Sequence, residues 1–402
     1  MAGVCTTPGN NVSGCVGDKR NYVLDTTGFD GHNTSRFEFA GWQNALTIGG
    51  DIFKDDVDTR DQSGNSNITT PGGVRTVSGA FVQLKSNYSN WLEVIGAARY
   101  DNYQLESGST NASGDRISPK ITVGVTPFPG ITPYVSYAEG YRAPSITETL
   151  ISGAHATGGG PVFFNCSNGT GGLFCFLPNP NLRPEVGKNQ EVGINLKFDN
   201  IFKTGDSFRG KINAFRNNLE DYIELTAGDP VIVFPFGPLT PYYQYQNIDK
   251  AHIQGFEAEV AYDAGDWFVG LTGQLQRGYN DMTGEGLANI QPNKIVTTAG
   301  VRLLERKLTL AASWVSAASN LHVPVTYTPS TSYDLLNFYL TYDPVQDLTL
   351  AFGVDNILNE YYRPYAIPKS TYDGATQNDV LWTAPPPGIV YKGSMRVRFS
   401  AM

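Results

Sequence analysis

The sequence predicts an all-β protein, an antiparallel barrel whose strands cross a membrane, and three observations carry that expectation. Aromatic residues fill 12% of the 402 positions and charged residues only 17%, with 44 glycines, a balance that favours strands and turns over helices. Short segments along the whole chain alternate apolar with polar side chains. Tight turns and long polar loops then take turns in joining them, which a soluble β-sandwich has no reason to do and a membrane barrel does, with its short rim in the periplasm. No apolar run approaches the roughly 18 residues of a membrane-spanning helix. The mean hydropathy of -0.25 does not speak against a barrel, because its lumen and lipid faces average out.

The elements follow from this alternation. The first long extended segment covers about Asp18 to Trp42. From Glu191 to Phe198, Val192, Ile194, Leu196 and Phe198 face one way and Glu191, Gly193, Asn195 and Lys197 the other. Glu257 and Glu259 alternate with Phe256, Ala258 and Val260. Between Asp347 and Asp355, Leu348, Leu350, Phe352 and Val354 oppose Thr349, Ala351 and Gly353. In the last segment, from Ile389, Arg396 and Arg398 alternate with Met395, Val397 and Phe399. Short turns are expected at Gly41 to Asn44, Ser89 to Trp91, Pro127 to Ile131, Asn200 to Asp206, Ala264 to Asp266, Glu305 to Lys307 and Pro344 to Asp347. Long loops are expected at Asp56 to Ser78, Ser107 to Gly114, Arg142 to Glu185, Ala227 to Thr240, Tyr279 to Gln291, Ser319 to Ser330 and Ile357 to Gly388. Trp91, Tyr100, Tyr103, Tyr134, Tyr137, Trp267, Tyr342 and Tyr391, near strand ends, are expected in interfacial girdles. Almost no helix is expected. The count reaches about 15 strands, whereas bacterial single-chain barrels close on an even number. The start, Met1-Ala2-Gly3-Val4-Cys5, has no charged n-region, apolar core or cleavage site, so the chain is expected to be a fragment beginning inside a barrel.

Two short boxes, Tyr141-Arg142-Ala143-Pro144 and Asn179-Pro180-Asn181-Leu182, bracket a Gly-rich loop that holds His155, one of four histidines. A neutral imidazole ligates iron well, and loops held by a rigid scaffold are where binding residues concentrate. His322, in another long loop beside Pro324, is an auxiliary ligand candidate. His252, near Lys250, and His32, before Asn33, are expected to be polar lumen residues. The four cysteines form two close pairs, Cys5 with Cys15 and Cys166 with Cys175. Local disulfides are expected of both, each contributing on the order of 2 to 3 kcal/mol; the second would stiffen the loop of His155. No zinc spacing, acidic calcium loop, Gly-x-Ser-x-Gly elbow or phosphate loop occurs, so no enzyme is expected. The net charge of -9 argues against a nucleic-acid partner.

The boxes stand among further family-like stretches. These are Asn33-Thr34-Ser35-Arg36-Phe37, Leu46 to Asp51, Tyr134 to Pro144, Asn179 to Glu185, Gln190 to Gly193, Tyr245 to Ile248, Ile253 to Glu259 and Phe352 to Tyr362. In this order they resemble the TonB-dependent outer-membrane receptors, and within them the haem and haemoglobin receptors, from about Thr27 to the C-terminus. The resemblance implies a 22-stranded barrel closed by an N-terminal plug, of which residues 1–402 would be the C-terminal part, without plug, coupling segment or first strands. It implies a place in the bacterial outer membrane, in contact with its lipid, and energy from TonB acting through the missing N-terminal region. It implies haem as the transported ligand, with no catalytic cofactor, received outside as such or from a haemoprotein or haemophore. Within that resemblance His155 is an axial ligand of the haem iron, and Phe163, Phe164, Phe174 and Phe176 suit the porphyrin face. The boxes are similar in many siderophore receptors, so a ferric-siderophore receptor of the same barrel type is the alternative; an outer-membrane barrel enzyme or a passive pore is the alternative of another class. The end, Arg398-Phe399-Ser400-Ala401-Met402, departs from the terminal aromatic usual in such barrels.

Overall fold

The computed structural model describes residues 20–61, 71–154, 164–165, 171–172, 175–231, 240–368 and 386–399. Fifteen long strands run through them: β1 (Arg20–Phe39), β2 (Trp42–Asp61), β3 (Gly73–Tyr88), β4 (Leu92–Ser107), β5 (Thr110–Val125), β6 (Ile131–Arg142), β7 (Glu185–Asp199), β8 (Ser207–Val231), β9 (Thr240–Asp263), β10 (Trp267–Asn280), β11 (Lys294–Leu303), β12 (Leu308–Ala317), β13 (Tyr333–Val345), β14 (Leu348–Asp355) and β15 (Val390–Val397). Each pairs antiparallel with the next, and two short segments of the β6–β7 connection, Gly153–Ala154 and Cys175–Leu177, bring the sheet to seventeen strands. The one helix among the described residues, α1, is Ile146–Leu150.

Tight turns and long connections alternate as expected, with one exception. Ser107 pairs with Thr110, so the expected loop from Ser107 to Gly114 is instead the hairpin of β4 with β5. Gly108 turns it with φ +57, the left-handed geometry that two-residue hairpins need. Its Gly/Ser/Asn-rich composition reads as loop only because the strand has left the apolar band.

Face and period agree over the half of the sheet near the short rim. On one face Arg99 bridges Asp51 at 2.8 Å and Asp101 at 2.7 Å, Lys85 reaches Glu93 at 2.6 Å and Lys211 reaches Glu191 at 3.2 Å. On the other, Ile48, Ile52, Ile121, Val135, Val192, Ile212, Phe256 and Leu275 are exposed, an apolar skin that lipid, and not water, would favour. Trp91, Tyr100, Trp267 and Tyr391 are exposed, as girdle residues are. Tyr103 is not a girdle residue: it is 1% exposed within a core cluster. Tyr134 turns to the charged face, where its hydroxyl donates to Glu191.

Among the described residues β1 pairs only with β2, and β15 only with β14. Unpaired edges are not tolerated in hydrocarbon. Since β1 and β15 run in the same direction, closing the wall takes an odd number of antiparallel strands beyond those described.

The short rim is tied by its own turns. In the turn from Asn200 to Asp206, the Asp206 carboxylate, 2% exposed, accepts the N–H groups of Ile201 (2.7 Å), Phe202 (2.8 Å) and Lys203 (2.9 Å) and the Tyr262 hydroxyl (2.8 Å). Burial pulls this carboxyl upward, but the donors outweigh it and hold it down at about 2.

Two outcomes are expected. In urea titrations of folding into lipid vesicles, read by gel mobility, Val192→Arg costs about 2 to 4 kcal/mol if the side chain lies at mid-bilayer, whereas Glu191→Gln, on the charged face, costs far less. Because the native pKa of Asp206 is depressed, its contribution is present above the unfolded carboxylate value of about 3.9 and disappears as pH falls through about 2. Asp206→Ala should therefore lower the unfolding temperature at pH 7, with the difference from wild type closing toward pH 2.

Candidate ligand-binding site at the long-loop rim

The first box turns the chain out of β6 and into α1. The Arg142 guanidinium grips Glu185, at the start of β7, through Nε (2.5 Å) and Nη2 (2.7 Å), and Glu148 of α1 through Nη1 (3.0 Å to both oxygens). A charge-assisted fork of this kind fixes geometry as well as energy. Ser145 caps α1 in a reciprocal box: its hydroxyl accepts the Glu148 N–H at 3.1 Å, and its own N–H donates to Glu148 at 2.8 Å. Burial pushes the Glu148 carboxyl up, but the Arg142 and Ser145 bonds prevail and hold it below the ordinary range. Ala143 and Pro144 are buried, and Ile146 and Leu150 pack with Val57, Tyr103 and Leu105, so the box and its helix fold onto the sheet. Tyr141 lies beside Tyr103, its hydroxyl buried and without a hydrogen-bond partner.

The second box is sewn to the same place. Asn179 donates its backbone N–H to the Thr149 carbonyl at 2.9 Å and its Nδ2 to the Tyr245 carbonyl of β9 at 2.9 Å, while its Oδ1 accepts the Asn181 N–H at 3.2 Å. Leu182 is 4% exposed, and Gln244 donates to the Pro178 carbonyl at 3.1 Å. The two boxes are thus brought together, at Thr149 with Asn179 and at Arg142 with Glu185, and both act as anchors of the loop between them.

Between the anchors, Gly153–Ala154 runs antiparallel to Cys175–Phe176, and Cys175–Leu177 runs parallel to Tyr242–Gln244 of β9. Phe176 meets Tyr243 with ring centroids 6.0 Å apart. The residue before His155 is therefore hydrogen-bonded into the sheet at the long-loop rim. His155, Cys5, Cys15, Cys166, Phe163 and Phe174 lie outside the described residues, as do the expected Cys5–Cys15 and Cys166–Cys175 bridges; of Cys175 only the strand is described, and of Phe164 only the short pair Phe164–Asn165 with Gly171–Gly172.

Neighbouring loops also fold inward. Leu287 is fully buried in a cluster with Leu219, Ala251 and Ile290, the Ala288 N–H donates to the buried Glu224 carboxylate at 2.7 Å, and the Tyr327 hydroxyl donates to the Leu225 carbonyl at 3.2 Å. His322 stands apart from the boxes, its ring 4.6 Å from Tyr279, whose other neighbour, 4.9 Å away, is His252. The His322 Nε2 is buried without a partner, and His252 pairs with Asp281 at 2.5 Å. His252 is therefore not the lumen residue expected of it: it shares the face of β9 that carries Phe256, opposite the buried Ala251. Glu148, Glu185, Glu224, Arg183, Asp221 and Asn247 were not visible as site residues in the sequence. Only the placement of Arg183 and Glu185 just after the second box, and of Asn247 inside the stretch Tyr245 to Ile248, carried any signal.

The sequence profile described as "TonB dependent receptor-like, beta-barrel" matches residues 5–357. The chain is 34% identical over 280 residues to the "Heme/hemopexin utilization protein C" of Haemophilus influenzae strain 86-028NP, covering 67% of this chain and 37% of that protein. It is 29% identical over 291 residues to the "Hemin receptor" of Yersinia enterocolitica, covering 69% of this chain and 40% of the relative. The chain thus spans well under half the length of these curated relatives. Its fold superposes with a TM-score of 0.69, over 94% of this chain and 60% of the other, on a double mutant of the Serratia marcescens haemophore receptor HasR in complex with HasA and haem, at 23% identity. With its strand meander, its alternating rims and a profile match over most of its length, the chain belongs to the TonB-dependent receptor-like β-barrel family.

Proposed function

We propose that the chain is the loop-bearing, C-terminal part of an outer-membrane receptor that captures haem and passes it inward at the expense of energy delivered by TonB. One observation carries this: between α1 and the second box, the stretch from Ile151 to Pro178 holds no Asp, Glu, Lys or Arg and a single histidine, next to a strand residue, Ala154, that is paired into the sheet. An uncharged, aromatic-rich loop suits an apolar porphyrin plane, and one neutral imidazole suits its iron. The names of the relatives, which speak of heme, hemopexin and hemin, support the same ligand.

In this mechanism haem arrives free or on a haem-carrying protein such as a haemophore, and His155 takes one axial position. The second ligand comes from another loop or from a plug supplied outside residues 1–402. His322, a histidine of another long loop, is the auxiliary candidate; its ring lies against Tyr279, apart from the boxes, so its part is secondary to that of His155. Bridges Cys5–Cys15 and Cys166–Cys175 would stiffen two outer segments, the second beside the ligand. Tight capture opposes release, so an energised step must break the ligation before haem can pass. We assign the chain transport and no catalytic step, in a wall that faces outer-membrane lipid.

Replacing His155 with Ala and titrating haem by its Soret absorbance tests the assignment: affinity should fall by at least about tenfold and the Soret maximum should move, with a smaller change for His322→Ala. An unchanged spectrum and affinity in both variants would turn the proposal toward a ferric-siderophore ligand. Collapsing the inner-membrane proton gradient in whole cells should leave surface binding of haem intact and stop its entry; entry that persists would point to a passive pore.

A further inference from the structure

Alone among the left-handed non-glycine residues described, Asp221 lies inside a strand rather than in a turn or loop, with φ +57. Aspartate tolerates this region better than most residues, but the conformation persists only where neighbours hold it. They do so here. The Asp221 carboxylate accepts two bonds from Arg183, from Nε at 2.8 Å and Nη2 at 2.5 Å, and its carbonyl accepts Asn247 Nδ2 at 2.7 Å. Asn247 also treats Arg183 as a neighbouring strand would: its Oδ1 accepts the Arg183 N–H at 2.8 Å and its Nδ2 donates to the Arg183 carbonyl at 2.9 Å. The exit arm of the long loop is thereby tied to β8 and β9 through its main chain.

The left-handed residue interrupts the β8–β9 ladder by a single rung. Glu220 still pairs with Lys250, and the ladder resumes at Tyr222 with Ile248. Beyond Asp221 the Ile223 N–H donates to Glu185 at 2.7 Å, the same carboxylate that Arg142 grips, and Glu224 receives Ala288. The exposed Arg183–Asp249 pair at 3.2 Å adds little, as surface ion pairs do; the hold comes from Asn247, the left-handed backbone and the two-pronged Arg183–Asp221 bond.

We propose that Arg183, Asp221 and Asn247 form a clasp whose role is positional: it fixes the exit arm, Cys175 to Arg183, of the loop that carries His155, so that this arm is already docked when a ligand arrives. For its ligand this rests on the haem function proposed above; the clasp itself does not. Preorganisation raises apparent affinity by the fraction of molecules already competent to bind.

The test compares Asn247→Ala, Asp221→Gly and Asp221→Asn in the intact receptor in outer-membrane preparations. Glycine keeps the left-handed backbone and removes the carboxylate; asparagine keeps the backbone preference and an acceptor. Hydrogen exchange of the amides from Cys175 to Arg183 is measured without ligand, and haem is titrated by Soret absorbance. Asn247→Ala and Asp221→Gly should speed exchange across the arm and weaken haem binding about tenfold, as the docked fraction falls, with the Soret maximum unmoved because the iron ligand is untouched. Asp221→Asn should restore both. Unchanged exchange, faster exchange with unchanged affinity, or a shifted Soret maximum would each overturn the positional role. If the wild type takes no haem, the proposed function fails while the exchange arm still decides the clasp.

Discussion

Everything in this molecule depends on the pairing of backbone N–H and C=O groups from strand to strand. A wall facing hydrocarbon has no water to satisfy these groups, so each strand must find its partner in the next, and among the described residues the ladders from β1 to β15 do this with register shifts at two places, in the β8–β9 and β13–β14 pairs. Once the ladder is set, the two-residue period follows. Charged pairs such as Arg99 with Asp51 collect on one face and Ile48, Val192 and Phe256 on the other. The ion pairs add modestly to stability; their service is to make one side of the sheet compatible with a wet or protein-filled interior.

The same ladder extends past the lipid. A transmembrane strand needs about 9 to 11 residues, and β8 and β9 have 25 and 24. The surplus becomes a platform. Cys175–Leu177 adds to its edge, Gly153–Ala154 adds to that, and the two boxes are fastened beside it through Asn179 and Arg142. A loop that begins and ends on rigid sheet can be long and still present one side chain at a defined place, which is the usual economy of binding loops.

Much of this was legible in the sequence, because the physics behind it is local. Alternation in Glu191 to Phe198 and in Phe256 to Val260 needs only the pleat, and the sorting of turn lengths needs only the two rims. All but one of the failures were non-local. Ser107 to Gly114 reads as a loop by composition, yet pairing with β4 makes most of it strand. Tyr103 looks like a girdle aromatic until α1 folds over it; the His252 miss alone is local, since two-residue alternation already puts it on the face of Phe256. The boxes themselves announce a site, but that they serve as anchors follows from partners far along the chain: Glu185 for Arg142, Tyr245 for Asn179, Asn247 and Asp221 for Arg183. No periodicity in the sequence records those contacts.

The most direct measurement is the structure of the receptor loaded with haem. The expected result is iron coordinated by the His155 imidazole, with Ala154 still paired to Cys175 and the Arg142–Glu185 and Asn179–Tyr245 bonds intact. Iron held elsewhere in the mouth, or a loop whose arms have left β9 in the loaded state, would contradict it.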